Sequence, residues 1–178
     1  MKTTSQQYDS AIKLCKNIFI KKMVDYGTAW RNLRLSSLTD QIFIKAQRIK
    51  SIEEKGTQKV IDDIKGEYIG IINYCIISLI QIELENDSRL ELPHDDVENL
   101  YNKYVGITKQ LMEDKNHDYG EAWRDMRISS LTDLILMKIF RVKQIEDNKG
   151  KTIISEGVDA NYMDMLNYSV FALIKLQE

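Results

Sequence analysis

Apolar residues recur at three- and four-residue spacing along most of the chain, the period of a helix with one buried face. Ile12, Cys15 and Ile18 carry it through residues 6–24, and Leu38, Ile42, Ile49 and Ile52 carry it through the next segment. Leu131, Ile135, Val142 and Ile145 repeat that second set later in the chain. The stretch YIGIINYCIISLIQI (68–82) is apolar almost throughout and predicts a helix buried on most sides. No segment keeps the strict alternation of a strand.

The helices predicted in this way come in matching trios. Residues 25–40, DYGTAWRNLRLSSLTD, return as DYGEAWRDMRISSLTD at 118–133, with 12 of 16 positions identical. KAQRIKSIEEKG (45–56) returns as KIFRVKQIEDNKG (138–150) with one residue inserted, and EYIGIINYCIISLI (67–80) as NYMDMLNYSVFALI (161–174). The chain therefore divides into a first repeat, 1–88, and a second, 89–178. The polar stretch 85–96, with the only proline, Pro93, joins them. In each repeat the first helix spans about 6–24 or 95–116, and Gly27 or Gly120 ends it. A short extra turn is expected around Ala-Trp-Arg. Ser36-Ser37 and Ser129-Ser130 are expected to cap the second helix, with Asp40 and Asp133 in its first turn. A third helix begins near 60 or 155. The expected fold is all-α: duplicated units of three to four helices, packed as a pseudo-twofold bundle that shares one core.

Composition acts mainly by exclusion. With 178 residues, 43% hydrophobic and 29% charged, the chain has the profile of a compact globular protein. A net charge of −2 supplies no field for nucleic acid or an anionic membrane, so neither is an expected partner. The N-terminus lacks the apolar core of a signal peptide, and the 68–82 run is too short to span a bilayer. Cys15 and Cys75 have no metal or redox spacing. Both are read as reduced, buried thiols in a cytoplasmic protein.

Some polar residues fall on faces that should be buried. Lys138 and Arg141 lie within about 60° of each other on the face that carries Leu131, Ile135, Val142 and Ile145, and Lys45 and Arg48 repeat the pattern in the first repeat. Inward cations need an anion, either a protein carboxylate or a bound phosphate. The third helix of the second repeat offers Glu156, Asp159 and Asp164 beside Asn167. Those oxygens suit either Mg²⁺ or ion pairs with Lys138 and Arg141. In the first repeat Asp62 stands for Glu156, Lys65 for Asp159 and Gly70 for Asp164, so its acidic set is degenerate. That asymmetry points to the second repeat as the active half. Trp123, with Tyr119 before it and arginines after it, can stack on a base or plug the end of the bundle. His94 and His117 have no partner at ligand spacing and are read as exposed.

The motifs K-x-x-D-Y-G-x-A-W (115–123), K-x-x-R-V (138–142) and E-x-x-D-x-x-x-x-D-x-x-N-Y (156–168) resemble the nucleotide modification associated domain 1 family. That family is similar to MazG-like all-α NTP pyrophosphatases. The resemblance implies a Mg²⁺-dependent nucleoside triphosphate pyrophosphohydrolase, releasing monophosphate and pyrophosphate. It implies Glu156, Asp159 and Asp164 as metal ligands or general base, and Lys138 and Arg141 as phosphate ligands. Asn167, Trp123 and Tyr119 would contact the nucleotide, and paired assembly would make a homodimer. The more usual acidic E-x-x-E pair is replaced by Lys138-x-x-Arg141. A nucleotide-binding regulatory module without catalysis and a structural interaction protein are the alternatives.

Overall fold

The structure, a computed structural model, describes the backbone of residues 1–56 and 61–178, with side chains in the third helix from Ile64 onward. It holds six α-helices among the described residues: α1 (Thr4–Tyr26), α2 (Leu35–Lys55), α3 (Ile61–Glu83), α4 (His94–Tyr119), α5 (Ile128–Asp147) and α6 (Val158–Leu176). A 3-10 turn, Ala29–Asn32 or Ala122–Asp125, follows α1 and α4, where the extra turn around Ala-Trp-Arg was expected. None of the described residues forms a strand, and none of these helices is long and apolar enough to cross a membrane.

Local chemistry sets the helix ends. Thr3 caps α1 by accepting from the Gln6 amide, while the Gln6 side chain accepts from the Thr3 amide, a reciprocal capping box. Gly27 closes α1 at φ 62°, where a Cβ would lie 2.6 Å from Glu91 Oε2. The serine caps are corrected by the structure. Arg34 and Arg127 occupy the N-cap positions of α2 and α5 with no side-chain cap, and the serine pairs lie inside the first turn. Asp40 and Asp133 consequently fall beyond that turn. Thr39 and Thr132 have a different task, described below.

Helices α2, α3, α5 and α6 form the centre, and α1 and α4 flank α3 and α6. A single hydrophobic cluster draws on both repeats, from Ile42 and Ile72 to Ile135 and Leu166, so neither repeat has a core of its own. Cys15 and Cys75 are free and buried within it, and burial pushes the Cys15 thiol up to about 12. The linker is ordered against the first repeat. Thr28 Oγ1 donates to Leu90 O at 2.7 Å and accepts from the Leu92 amide at 3.1 Å.

Two polar exchanges cross the centre, each made twice. Tyr8 of α1 donates to Asn167 Oδ1 on α6 at 2.8 Å, and Tyr101 of α4 donates to Asn73 Oδ1 on α3 at 2.8 Å. The same amides donate backward, Asn167 to Thr108 O and Asn73 to Cys15 O, both at 3.1 Å. Deeper in, Tyr162 meets Thr39 at 2.7 Å and Tyr68 meets Thr132 at 2.6 Å. Glu146 accepts from Thr39, and Glu53 from Thr132. The tyrosine and threonine bonds join one repeat to the other, and the two asparagine amino groups tie the third helix to the first within each repeat, which gives the duplicated chain its pseudo-twofold register.

Replacing Asn167 by Ala leaves the Tyr8 hydroxyl buried without its acceptor and removes the side-chain donor to the Thr108 carbonyl. It is expected to cost about 2–4 kcal/mol, against about 1–2 kcal/mol for Tyr8→Phe. Urea midpoints at unchanged m-value measure both, and a loss below about 0.5 kcal/mol for Asn167→Ala would refute the role.

Stability should also carry a signature of two half-buried glutamates, Glu53 and Glu146. Desolvation holds Glu53 and Glu146 above the ordinary value of 4.5, despite their threonine bonds, so the folded state binds these protons more tightly than the unfolded chain. Their ionisation therefore opposes folding. Their contribution improves as pH falls through the folded-state values toward the ordinary one, and is lost as pH rises. Glu53→Gln/Glu146→Gln is expected to flatten the fall in stability as pH rises above the ordinary glutamate value of 4.5, measured in denaturation series.

Candidate functional site

The charges on the inward faces find one another at the end of the second repeat. Lys115 lies near the end of α4, Lys138 midway along α5, and Asp164 two turns into α6. The Asp164 carboxylate receives Lys115 Nζ on Oδ1 at 2.8 Å and Lys138 Nζ on Oδ2 at 2.9 Å. Only 6% of the Asp164 side chain and 12% of the Lys138 side chain is accessible. These charges are therefore out of water, and pairing is what makes their burial tolerable. Burial alone would lower Lys115, but the Asp164 carboxylate outweighs it and holds the ammonium above its usual value.

Around this knot the expected ligand contacts are also engaged. Trp123 is buried and stacks on Phe171, with ring centroids 4.2 Å apart and planes 6° from parallel. The Arg124 guanidinium lies 4.4 Å from the centroid of the same indole. The indole N–H is buried without a partner among the described residues. Asn167 has its amide committed to Tyr8 and Thr108. Tyr119 is exposed, and Arg141 is exposed on the Tyr168 side of the knot.

The carboxylates do not converge. Glu156 precedes α6 and Asp159 lies in its first turn. Both are exposed, whereas Asp164 is buried farther along the helix. No group of three or more His, Cys, Asp or Glu side chains is gathered in metal-binding geometry among the described residues. With both Asp164 oxygens held by ammonium groups, this donor set does not fit Mg²⁺.

The first repeat solves the same charge problem differently. Lys45 pairs with Glu67 at 3.5 Å and Arg48 pairs with it at 2.6 Å. Glu67 corresponds to Asn161, so its neutralising carboxylate comes from one turn earlier on the helix. The missing acids at Lys65 and Gly70 are thus no sign that the second repeat alone needs carboxylates for chemistry. Asp62, the other candidate, lies outside the described side chains.

What the first repeat leaves is space. A cavity of about 570 Å³ opens between α1, the Ala29–Asn32 turn and α3, within the usual range for a small-molecule site. Trp30 forms one wall, Gly70 and Ile77 another, and Lys22 and Lys45 contribute ammonium groups. Lys22 is exposed and makes no ion pair among the described residues. Trp30 is half-buried and has neither a stacked ring nor an overlying cation among them. Its neighbour Arg31 instead turns to the linker, donating to Arg89 O at 3.0 Å and to Gln81. A larger hollow of about 690 Å³ lies by Met1–Ser5, bordered by Glu113, Glu121 and Glu178 and by Lys2 and Arg124, the last already paired with Glu121 and Glu178.

The sequence reading gave Lys115, the first residue of the K-x-x-D-Y-G-x-A-W motif, no role and passed over Phe171 and this cavity. The signal was present: Phe171 faces Ile77 in the alignment, as Asp164 faces Gly70. Reading Gly70 only as a lost acid concealed that it removes bulk as well as charge.

Asp164→Asn leaves Lys138 buried without its counter-charge and is expected to lose about 3–5 kcal/mol. Asp164→Leu combined with Lys138→Met is expected to recover most of that loss. Denaturation of the three variants decides the point, and a near-neutral Asp164→Asn would show the pair to be unimportant to the fold.

Comparison with curated proteins and with solved structures returned no match. A family described as "Nucleotide modification associated domain 1" matches twice, over residues 22–82 and 115–176. The two matched segments each run from the end of the first helix through the third, enclosing in one case the Trp30 cavity and in the other the Asp164 knot. Together they cover more than half of the chain, which therefore belongs to the nucleotide modification associated domain 1 family.

Proposed function

We propose that this protein is a nucleotide-binding module whose ligand occupies the first repeat, and that it binds without hydrolysing. The cavity beside Trp30 carries the reading: an unstacked indole and two ammonium groups border a volume of about 570 Å³. Aromatic faces accept bases, and lysines accept phosphate as point charges. The family's association with nucleotide modification agrees with that ligand class.

The alternative is Mg²⁺-dependent pyrophosphohydrolysis of a nucleoside triphosphate in the second repeat. It would require Asp164 to exchange two lysines for a metal, and Glu156 and Asp159 to move inward from the surface. Within the second repeat, the chain's own side chains already stack on Trp123 and neutralise Lys138. Binding in the first repeat needs no such rearrangement.

Thermal melts with a panel of nucleoside mono- and triphosphates, with and without Mg²⁺, test the proposal. A ligand at 100 times its Kd is expected to stabilise the protein by about 2.7 kcal/mol. Lys22→Ala and Trp30→Ala should each abolish most of that gain, with no pyrophosphate released. Stabilisation by none of the nucleotides would overturn the binding reading. Pyrophosphate release that disappears in Asp164→Asn would favour the hydrolase instead.

A further inference from the structure

The two repeats place the same side chains around unlike contents. Lys115, Lys138 and Trp123 correspond to Lys22, Lys45 and Trp30. In the second repeat the lysines hold the Asp164 carboxylate and the indole carries the Phe171 ring. In the first, Gly70 and Ile77 stand at those two positions, and the cavity runs past both. The second repeat is thus a copy of the site filled from its own helix by one aromatic ring and one anion.

We infer that the ligand of the first repeat reproduces this pair: a nucleoside monophosphate, its base stacked on Trp30 and its phosphate between Lys22 and Lys45. This rests on the nucleotide-binding reading above and specifies which nucleotide class the site takes. Asp164 and Phe171 are seven residues apart, about 10 Å along a helix. In the ligand the sugar is the spacer that bridges that interval.

Charge supports a monoester. Of the side chains that line the cavity, Lys22 and Lys45 are the charged ones, both positive, with Glu67 reaching Lys45 at 3.5 Å from outside the lining. A phosphate monoester carries about −1.5 to −2 near neutral pH, so it balances the site, whereas a triphosphate exceeds it. The walls contributed by Ile18, Ile69 and Ile77 are aliphatic, and the Asn73 amide is committed to Tyr101 and Cys15. Stacking, rather than hydrogen bonds to the base edge, therefore dominates recognition of the ring.

Room for the exchange is visible at Gly70. A Cβ there would lie 2.8 Å from Lys45 Cε, the far part of a flexible chain that can withdraw. Gly70→Asp is accordingly expected to fold, and to melt no lower than wild type, because it removes a glycine from a helix interior and supplies an anion to Lys45.

Calorimetry with a nucleoside monophosphate, its parent nucleoside, inorganic phosphate and the triphosphate tests the inference. Wild type is expected to bind one monophosphate, at least about tenfold tighter than the nucleoside or phosphate alone, with the triphosphate no tighter. Gly70→Asp and Ile77→Phe, which install the second repeat's contents, should each weaken binding at least about tenfold while the protein stays folded by circular dichroism. The reverse exchange, Asp164→Gly with Phe171→Ile, should raise the stoichiometry from one to two where it folds.

Undiminished binding in both Gly70→Asp and Ile77→Phe would overturn the ring-and-anion assignment while leaving nucleotide binding intact. So would a triphosphate bound more than about tenfold tighter than the monophosphate. Binding of no nucleotide by wild type would remove both readings together.

Discussion

The exchange between tyrosine and asparagine across the repeats is the constraint on which the structure depends. Asn73 and Asn167 lie in the most apolar helices of the chain, where an unpaired amide would cost several kcal/mol. Each finds its partners on a first helix: its carbonyl accepts from a tyrosine of the opposite repeat, and its amino group reaches a backbone carbonyl. Neither repeat can satisfy its own asparagine alone. The duplication is therefore more than two domains in series. It places each half's buried donor beside the other half's acceptor, and the shared hydrophobic cluster follows from that alignment.

That arrangement also explains why the repeats could diverge so unevenly at their ends. The central bonds and the threonine–tyrosine pairs fix the helices near the pseudo-twofold axis. Farther out, the space between the first and third helix of each repeat is not needed to hold the halves together. There the second repeat carries Asp164 and Phe171, the first Gly70 and Ile77. Local charge balance survives both choices, because Glu67 serves Lys45 where Asp164 serves Lys138. The cost of opening the first repeat is borne by Trp30, which keeps its place in the turn but loses both its ring and its cation partners.

The helical fold was legible in the sequence because it rests on period and repetition, and both are local quantities. Gly27 and Gly120 marked helix ends correctly for the same reason, since a cap at positive φ is decided by a few residues. The serine pairs misled because hydroxyls suited to a cap also fit the first turn, and the preceding arginines begin these helices without a side-chain cap. The inward lysines were readable as needing anions, but their partners were not. Lys115 approaches Asp164 from a helix 49 positions away in sequence, and no periodicity encodes that distance.

The carboxylates show the limit more sharply. Glu156, Asp159 and Asp164 fall along one sequence element, and spacing alone allowed them to serve one metal. Depth separates them: the first two precede or open the helix at the surface, and the third is buried where two other helices deliver ammonium groups. A carboxylate held by two lysines is electrostatically satisfied, and drawing a metal to it would mean leaving those cations unpaired in a poorly solvated place. The open repeat has the opposite character, with an exposed ammonium and a bare indole that no group among the described residues occupies. In a pair of sites descended from one pattern, the half lacking its internal occupant is the one prepared for an external one.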